Sequence, residues 1–360
     1  MHIRGSMLVL SFSMVLALPA LTACTQAQQT VLPLWPRGTP EPAQTTAPET
    51  DVTKPTDGLI NGHRTVRLTN VTVPTLSVYP PAHGNNGASA VVFPGGGYIR
   101  LAWTGEGTDT CEWLNSLGMT CLLVKYRVPE KGHYPDNPAD LEDAQQAVRL
   151  ARAHAAEWHI DRNRIGVVGF SAGGNLAVLL SSHPDDNHVG STPAVPQVPM
   201  QSGAPGEPID ARVNFAIVVY PAYLAVPPAE TELDPVYTPN DFTPPTFLIQ
   251  AENDRNYGHN GLVYYRALMD AGHPAQLHYY ATGGHGFGVH PVGTPEEHWT
   301  DLAATWLREI HAIPEHRGST GTGTGATAVS PVPCIAPAPP QPGQPPRPAD
   351  TNSSSPPPCF

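Results

Sequence analysis

The chain has 360 residues, and its 31 acidic and 19 basic side chains give it a formal net charge of −12. This charge, with no cluster of basic residues, excludes proteins that bind nucleic acid or anionic surfaces by electrostatic attraction. Both ends of the chain have compositions unlike a folded domain. About 260 residues therefore remain for a core, which is a usual size for one α/β domain.

Residues 1–24 have the pattern of an export signal. Residues 7–23 are nearly all apolar or small, follow a basic residue and end at the sequence LTAC. This run is short for a transmembrane helix. LTAC is similar to the bacterial lipobox, so we predict that Cys24 is lipidated and that this lipid is the only link to a membrane. The alternative is an ordinary secretory signal cut near Ala20 or Ala23, with Cys24 incidental.

Two further segments have the composition of unfolded chain. Residues 25–57 are rich in proline, threonine, glutamine and alanine, which predicts a flexible linker. Residues 316–360 contain a glycine and threonine run followed by PAPPQPGQPPRP, which is typical of a disordered or polyproline-like tail. The folded domain is therefore predicted to span residues 58–315.

Between these segments, apolar stretches alternate with helical ones. The strand predictions are residues 75–80, 88–95, 120–127, 164–170, 215–222, 246–252 and 275–281. The helix predictions are residues 106–117, 137–158, 172–182, 259–271 and 295–311. Because most of the strands are apolar without alternation, we expect a largely parallel sheet covered by helices on both faces. Residues 184–211, rich in proline and glycine, predict a surface excursion near the functional site.

The chain holds five cysteines, of which Cys111 and Cys121 lie in the folded part. For this pair we predict two buried free thiols. A disulfide is the alternative, which an exported protein permits.

The sequence GFSAG, residues 169–173, lies directly between a predicted strand and a predicted helix. In this context G-x-S-x-G indicates a nucleophile elbow, a tight turn in which Gly169 and Gly173 avoid collisions with the backbone. The turn would expose the hydroxyl of Ser171 above the sheet. The alternative is a serine that only caps the helix.

A serine nucleophile needs a base that takes its proton, and histidine is the usual choice. The sequence GGHGFG, residues 283–288, follows the last predicted strand, and small neighbours leave the ring of His285 accessible. We therefore predict that His285 is the base. His290 is the nearest rival, whereas His278 falls within the strand and indicates a core role.

The base must be oriented by an acid that precedes it in the chain. Glu252 and Asp254 both follow the preceding strand, in the sequence QAENDRNY. Asp254 lies deeper in the loop, where a carboxylate can reach the imidazole, so it is the predicted acid. Glu252 remains the alternative.

The sequence FPGGGY, residues 93–98, ends the strand that precedes the elbow. Consecutive glycines allow backbone amides to turn toward a developing oxyanion. We assign this oxyanion hole to the amides of Gly96 and Gly97, together with that of Ala172 after the serine. The alternative is a flexible turn.

With these motifs placed, residues 65–311 resemble the α/β-hydrolase superfamily, and within it the acetyl esterase and acetylxylan esterase-like group related to feruloyl esterases and hormone-sensitive lipase-type esterases. The resemblance rests on VVFPGGGY, on the block from Tyr134 to Ala177, on AEND and on GGHGFG. It implies a single-domain α/β-hydrolase fold and a serine carboxylesterase that hydrolyses short-acyl esters through an acyl-enzyme. Acetylated xylan or another carbohydrate ester is the implied substrate.

Such a reaction requires neither a metal nor an organic cofactor, and the histidines show no zinc-binding spacing. We therefore expect no cofactor, a small-molecule or carbohydrate ester as the bound substrate, and no nucleic acid partner; the sequence leaves the oligomeric state open. Two alternatives remain: a peptidase of the prolyl oligopeptidase type, and a non-catalytic hydrolase-like binding protein on the cell envelope.

Overall fold

The fold is built on an eight-stranded sheet with a smaller three-stranded sheet beside it. The structure, a computed structural model, describes residues 30–59, 62–130, 134–185, 210–228, 230–291 and 293–315. In chain order the strands are β1 (Thr30–Pro33), β2 (Thr50–Asp51), β3 (Arg67–Thr69), β4 (Thr75–Tyr79), β5 (Ser89–Phe93), β6 (Leu101–Ala102), β7 (Thr120–Lys125), β8 (Ile165–Phe170), β9 (Ala216–Val219), β10 (Thr246–Ala251) and β11 (Ala275–Tyr280).

The large sheet has the order β1-β4-β7-β5-β8-β9-β10-β11. Strand β4 runs antiparallel to both of its neighbours, β1 and β7. The six strands β7, β5, β8, β9, β10 and β11 are parallel to one another. Strands β2, β3 and β6 form the small antiparallel sheet. The α-helices are α1 (Asp109–Ser116), α2 (Ala139–Ala153), α3 (Ala172–Ser182), α4 (Asn260–Asp270) and α5 (Trp299–Glu309).

Two hydrophobic clusters enclose the sheet, one on each face. Val91 and Phe93 of β5 join the cluster that includes α2, α3 and α4. Ala90 and Val92 of the same strand join the cluster that includes α1 and α5. Because alternate side chains of one strand are buried on opposite faces, the continuous apolar runs follow from helices covering both sides. The predicted α/β architecture, a largely parallel sheet covered by helices on both faces, is confirmed.

The prediction of a flexible linker over residues 25–57 is wrong from Thr30 onward. Strand β1 pairs with β4 at the edge of the large sheet, and Leu34 is fully buried. The indole Nε1 of Trp35 donates to Asp143 Oδ1 over 2.7 Å. A few apolar residues thus anchor a stretch whose average composition is polar, because they reach a sheet edge that the distant β4 provides.

The prediction of free thiols is also wrong, since Cys111 and Cys121 form a disulfide with a Cα–Cα distance of 5.1 Å. Cys111 lies on α1 and Cys121 on β7, and both are buried in the same cluster. The helix packs directly against the strand that follows it, which brings the two sulfurs together.

Several other predictions lie outside the described residues. These are the export signal with Cys24, most of the excursion over residues 184–211, and the tail over residues 316–360. The described residues belong to one compact unit that ends at Glu315. Among the described residues, no helix combines the length and the apolar character needed to cross a membrane.

The parallel strands bring four predicted motifs to one edge of the sheet. The glycine loop follows β5, Ser171 follows β8, Asp254 follows β10 and His285 follows β11. The carboxyl ends of parallel strands meet at one edge, which is where open α/β sheets place their sites.

Candidate active site

Ser171 occupies a sharp turn between β8 and α3, with φ of 53° and ψ of −118°. This conformation is strained for a residue with a side chain. A Cβ atom on Gly169 would lie 2.1 Å from the carbonyl oxygen of Gly173, and one on Gly173 would lie 2.0 Å from that of Phe93. Both positions therefore require glycine, and the turn has the form of a nucleophile elbow.

The structure brings the predicted serine, histidine and acid into hydrogen-bonding contact. His285 Nε2 lies 2.7 Å from Ser171 Oγ, and His285 Nδ1 lies 2.6 Å from Asp254 Oδ2. The other oxygen of Asp254 accepts the backbone amides of Asn256 and Tyr257, each over 3.2 Å. A carboxylate beside Nδ1 favours the tautomer with the proton on that nitrogen, which leaves Nε2 free to accept the serine proton.

The environment of Asp254 favours its ionised form. Burial would by itself raise the pKa of this carboxyl. The hydrogen bond and the charge of His285, together with the amides of Tyr257 and Asn256, outweigh burial and hold the pKa below its ordinary value. Asp254 therefore carries its charge at neutral pH, where it stabilises a protonated imidazole.

The histidine loop is held from two directions. The amide of Gly284 donates to the side-chain oxygen of Asn253 over 2.7 Å, which joins the histidine loop to the acid loop. The rings of Tyr220 and Tyr257 contact the imidazole of His285, with centroid distances of 5.2 and 5.1 Å. These contacts hold the imidazole ring in the orientation that directs its Nε2 atom to Ser171.

The glycine loop after β5 lines the same cavity as the serine. Gly96 and Gly97 have φ of 134° and 66°, values that favour glycine and that turn successive amides. Within the described ranges, neither these two amides nor that of Ala172 donates to a protein acceptor. The amide of the preceding Gly95, in contrast, donates to Glu106 Oε2 over 2.7 Å. The loop can thus offer two amides, and the start of α3 a third, to an oxyanion.

The cavity above Ser171 has a volume of about 510 Å³, which is within the range of small-molecule sites. Its wall includes both aromatic and basic side chains, namely Tyr223, Tyr257, His63, His290, Arg67 and Arg100. The cavity is therefore much larger than an acetyl group requires.

The rival residues occupy other positions. His290 lines the cavity, but its Nε2 lies 2.8 Å from Asp109 Oδ2 instead of near the serine. His278 on β11 packs against the ring of Phe247. Glu252 is exposed on the acid loop. No group of three potential ligands suited to a metal ion occurs among the described residues.

Sequence reasoning missed two residues that border the site, Glu106 and Tyr220. Glu106 was included only as the first residue of a predicted helix, and Tyr220 only as part of a strand. The available signal was the sequence GEG, in which two glycines flank a carboxylate shortly after the glycine loop.

The strand order, the elbow and the Ser171, His285 and Asp254 arrangement define a protein of the α/β-hydrolase class. A family model described as the alpha/beta hydrolase fold matches residues 90–289. The chain therefore belongs to this family, as the sequence motifs predicted.

Among curated proteins, the chain is similar to the acetylxylan esterase of Xylanibacter ruminicola, with 29% identity over 253 residues that cover 64% of this chain and 47% of the relative. It is also similar to the arylesterase of Saccharolobus solfataricus, with 31% identity over 134 residues that cover 37% and 42% of the two chains. The chain thus spans less than half the length of these two relatives.

Among solved structures, the chain is similar to an acetyl ester-xyloside bifunctional hydrolase from Caldicellulosiruptor lactoaceticus. The TM-score is 0.58 and the identity 29%, and the match covers 79% of this chain and 97% of the other.

Proposed function

We propose that the protein is a serine carboxylesterase that hydrolyses short-acyl esters. The observation that carries this proposal is the continuous contact from Ser171 through His285 to Asp254, at 2.7 and 2.6 Å. Beside it lie three amides that have no acceptor among the described residues of the protein. Acyl transfer requires this combination of nucleophile, base and oxyanion donors. The names of the two curated relatives and of the solved structure support the same reaction class.

In the first half of the reaction, Ser171 Oγ attacks the ester carbonyl while His285 Nε2 takes the hydroxyl proton. The amides of Gly96, Gly97 and Ala172 bind the resulting oxyanion, and Asp254 stabilises the imidazolium. Collapse of the tetrahedral intermediate breaks the ester C–O bond, and the imidazolium gives its proton to the leaving alcohol. An acyl group then remains on Ser171.

In the second half, a water molecule attacks the acyl-enzyme, and His285 takes a proton from this water. The same amides bind the second oxyanion, and collapse releases the carboxylic acid. The proton returns from His285 to Ser171 Oγ, which restores the starting state. The side chains of the chain itself thus carry every proton transfer.

As substrate we propose an acetylated carbohydrate, with xylan as the leading candidate. This proposal is supported by the printed names of the acetylxylan esterase and of the acetyl ester-xyloside hydrolase. The cavity of about 510 Å³ leaves room for a sugar beside an acetyl group. Tyr223 and Tyr257 in its wall offer aromatic faces to such a ring.

The reaction class can be tested by hydrolysis of p-nitrophenyl acetate. We expect Ser171→Ala to fold and to lose at least about 10³-fold in kcat. Ser116→Ala, an exposed serine at the end of α1, is the matched control and should retain the wild-type rate. Equal rates for the wild type and Ser171→Ala would contradict the proposal. Cleavage of a prolyl p-nitroanilide instead of the ester would favour the peptidase, and inactivity on both would favour the binding protein.

Substrate choice can be tested by acetate release from acetylated xylan, compared with p-nitrophenyl butyrate and octanoate. We expect acetylated xylan to be deacetylated and the rate on the p-nitrophenyl esters to fall as the acyl chain lengthens. A preference for octanoate, with no acetate released from the polysaccharide, would contradict the carbohydrate proposal.

We further propose that the protein is exported and lipidated at Cys24. The proposal is supported by the sequence of residues 1–24 and by the Cys111–Cys121 disulfide, since such bonds persist in oxidising compartments. In a bacterium that processes lipoproteins, Cys24→Ala should release the protein from the membrane fraction, whereas Cys334→Ala should not. Unchanged membrane association of Cys24→Ala would contradict lipidation.

A further inference from the structure

Glu106 is a buried acid at the edge of the cavity that the proposed mechanism does not use. It lies in a π-helical turn, Trp103–Thr108, between β6 and α1, and only 8% of its surface is exposed. Turns of this kind are rare and frequently occur at functional sites. A charged side chain is rarely buried without partners that stabilise it.

The carboxylate joins two loops of the site. Its Oε2 accepts the amide of Gly95 over 2.7 Å, and its Oε1 accepts the hydroxyl of Tyr220 over 2.9 Å. The oxygen of Tyr220 in turn accepts the amide of Gly288 over 3.0 Å. One carboxylate therefore connects the glycine loop after β5 with the loop that carries His285.

The contact with the glycine loop is also close to the serine. A Cβ atom on Gly95 would lie 2.7 Å from Glu106 Oε2 and 2.8 Å from Ser171 Cβ. The carboxylate, the glycine backbone and the serine are thus packed without space for another atom. A displacement of the carboxylate would change the position of the glycine loop relative to Ser171.

We infer that Glu106 is a positioning residue, which fixes the oxyanion loop relative to the histidine loop and favours the protonated imidazole through its negative charge. This inference rests on the proposed esterase function and deepens it. Catalytic groups must be held within a fraction of an ångström, because a displacement of about 1 Å can cost about 10²-fold in rate.

The charge of the carboxylate follows from its partners. Both oxygens face donors, an arrangement that suits the ionised form. The pKa of Glu106 lies above its ordinary value, because burial outweighs the Gly95 amide, the Tyr220 hydroxyl and the charges of His285 and Arg67, all of which lower it.

The electrostatic effect between Glu106 and His285 is reciprocal, so an ionised Glu106 favours the imidazolium. The other groups that face His285 are Asp254, Ser171 and the rings of Tyr220 and Tyr257. The variants below leave the charges of these groups in place.

The test is the pH profile of kcat/KM and the separate values of kcat and KM, with p-nitrophenyl acetate. In Glu106→Gln we expect kcat to fall about 10- to 100-fold with KM changed less than about 3-fold. The midpoint of the acid limb should move to lower pH by about 0.5 to 1 unit, because loss of the negative charge disfavours the protonated imidazole. A merely structural role would not move this midpoint.

Two comparison variants separate the effect of side-chain length at position 106 from the effect of its charge. Glu106→Asp keeps the charge but is too short to contact both loops, so kcat should fall while the acid limb stays near its wild-type position. Glu112→Gln makes the same chemical change on an exposed residue of α1 and should alter neither value. An acid limb that is unmoved in Glu106→Gln, or an unchanged kcat, would overturn the inference.

The wild-type enzyme and Ser171→Ala establish the esterase activity independently, so failure of the inference and failure of the proposed function are distinguishable. Thermal unfolding followed by circular dichroism shows whether each variant folds. If Glu106→Gln does not fold, Tyr220→Phe breaks the same connection at its other end. We expect this variant to lose about 10-fold in kcat, and an unchanged kcat would overturn the inference.

Discussion

Replacement of Asp254 by Asn tests whether this carboxylate orients the catalytic imidazole. In the protein, Oδ2 lies 2.6 Å from His285 Nδ1, and Oδ1 accepts the amides of Asn256 and Tyr257. An asparagine can keep its oxygen on those two amides only by turning its NH₂ group toward Nδ1. The imidazole must then accept at Nδ1 and carry its proton on Nε2. In this tautomer Nε2 donates toward Ser171 and cannot take its proton.

The expected magnitude follows from this change of tautomer and from the loss of the negative charge beside the imidazolium. The corresponding change in a serine protease triad lowers kcat by about 10⁴-fold. This factor equals about 5.5 kcal/mol of lost transition-state stabilisation. Because Asp254 does not line the cavity, KM should change little.

The assay is steady-state hydrolysis of p-nitrophenyl acetate by Asp254→Asn, with Glu252→Gln as the matched control. Glu252 lies two residues earlier on the same loop, is exposed, and was the rival acid in the sequence. We expect Glu252→Gln to retain the wild-type kcat. Activity of Asp254→Asn above about a tenth of the wild type, or an equal loss in both variants, would refute the assignment of the acid.

Two predictions concern stability and are checked by thermal unfolding. Arg127 is 2% exposed and binds Asp143 and Glu142, so Arg127→Met should cost about 3–5 kcal/mol by leaving these carboxylates unpaired. At an unfolding entropy of about 0.6 kcal/mol/K for about 280 residues, the Tm should fall by about 5–8 °C. Arg266→Met removes an exposed ion pair and should change the Tm by less than about 1 °C; equal shifts would contradict the estimate. Replacing Cys111 by Ser opens a loop of sequence separation 10 and should cost about 2–3 kcal/mol, and an unchanged Tm would contradict this.

The parallel layer of the fold could be predicted because its physical cause is local in the sequence. Strands such as β5 and β8 are apolar on both faces, and only a sheet covered by helices on both sides requires that composition. The same holds for the elbow, where the glycines and the serine are adjacent in sequence and the backbone collisions that select them occur within one turn.

The segment over residues 30–57 could not be predicted in this way. Leu34 and Trp35 end a short apolar run, residues 31–35, in a stretch whose average composition is polar. Their burial depends on pairing with β4 and on Asp143, which is more than 100 residues away from Trp35. Composition averages over such residues and therefore indicates a linker. The disulfide depends likewise on how α1 packs on β7, which the spacing of Cys111 and Cys121 leaves open.

Within the site, the residues that follow strand ends were predictable, and the connection between loops was not. Glu106 and Tyr220 are 114 positions apart in the chain, and neither belongs to a local motif that indicates their contact. Their role depends on side chains from separate strands that meet only after the sheet has formed.

The most direct test of the central claim, that Ser171 is the nucleophile, is covalent labelling with diethyl p-nitrophenyl phosphate followed by peptide mass spectrometry. We expect one diethylphosphoryl group per chain, on the peptide that contains Ser171. Esterase activity should be lost in proportion to labelling, and His285→Ala should label far more slowly. A fully active protein without the label, or a label on another residue that accounts for the loss of activity, would contradict the account.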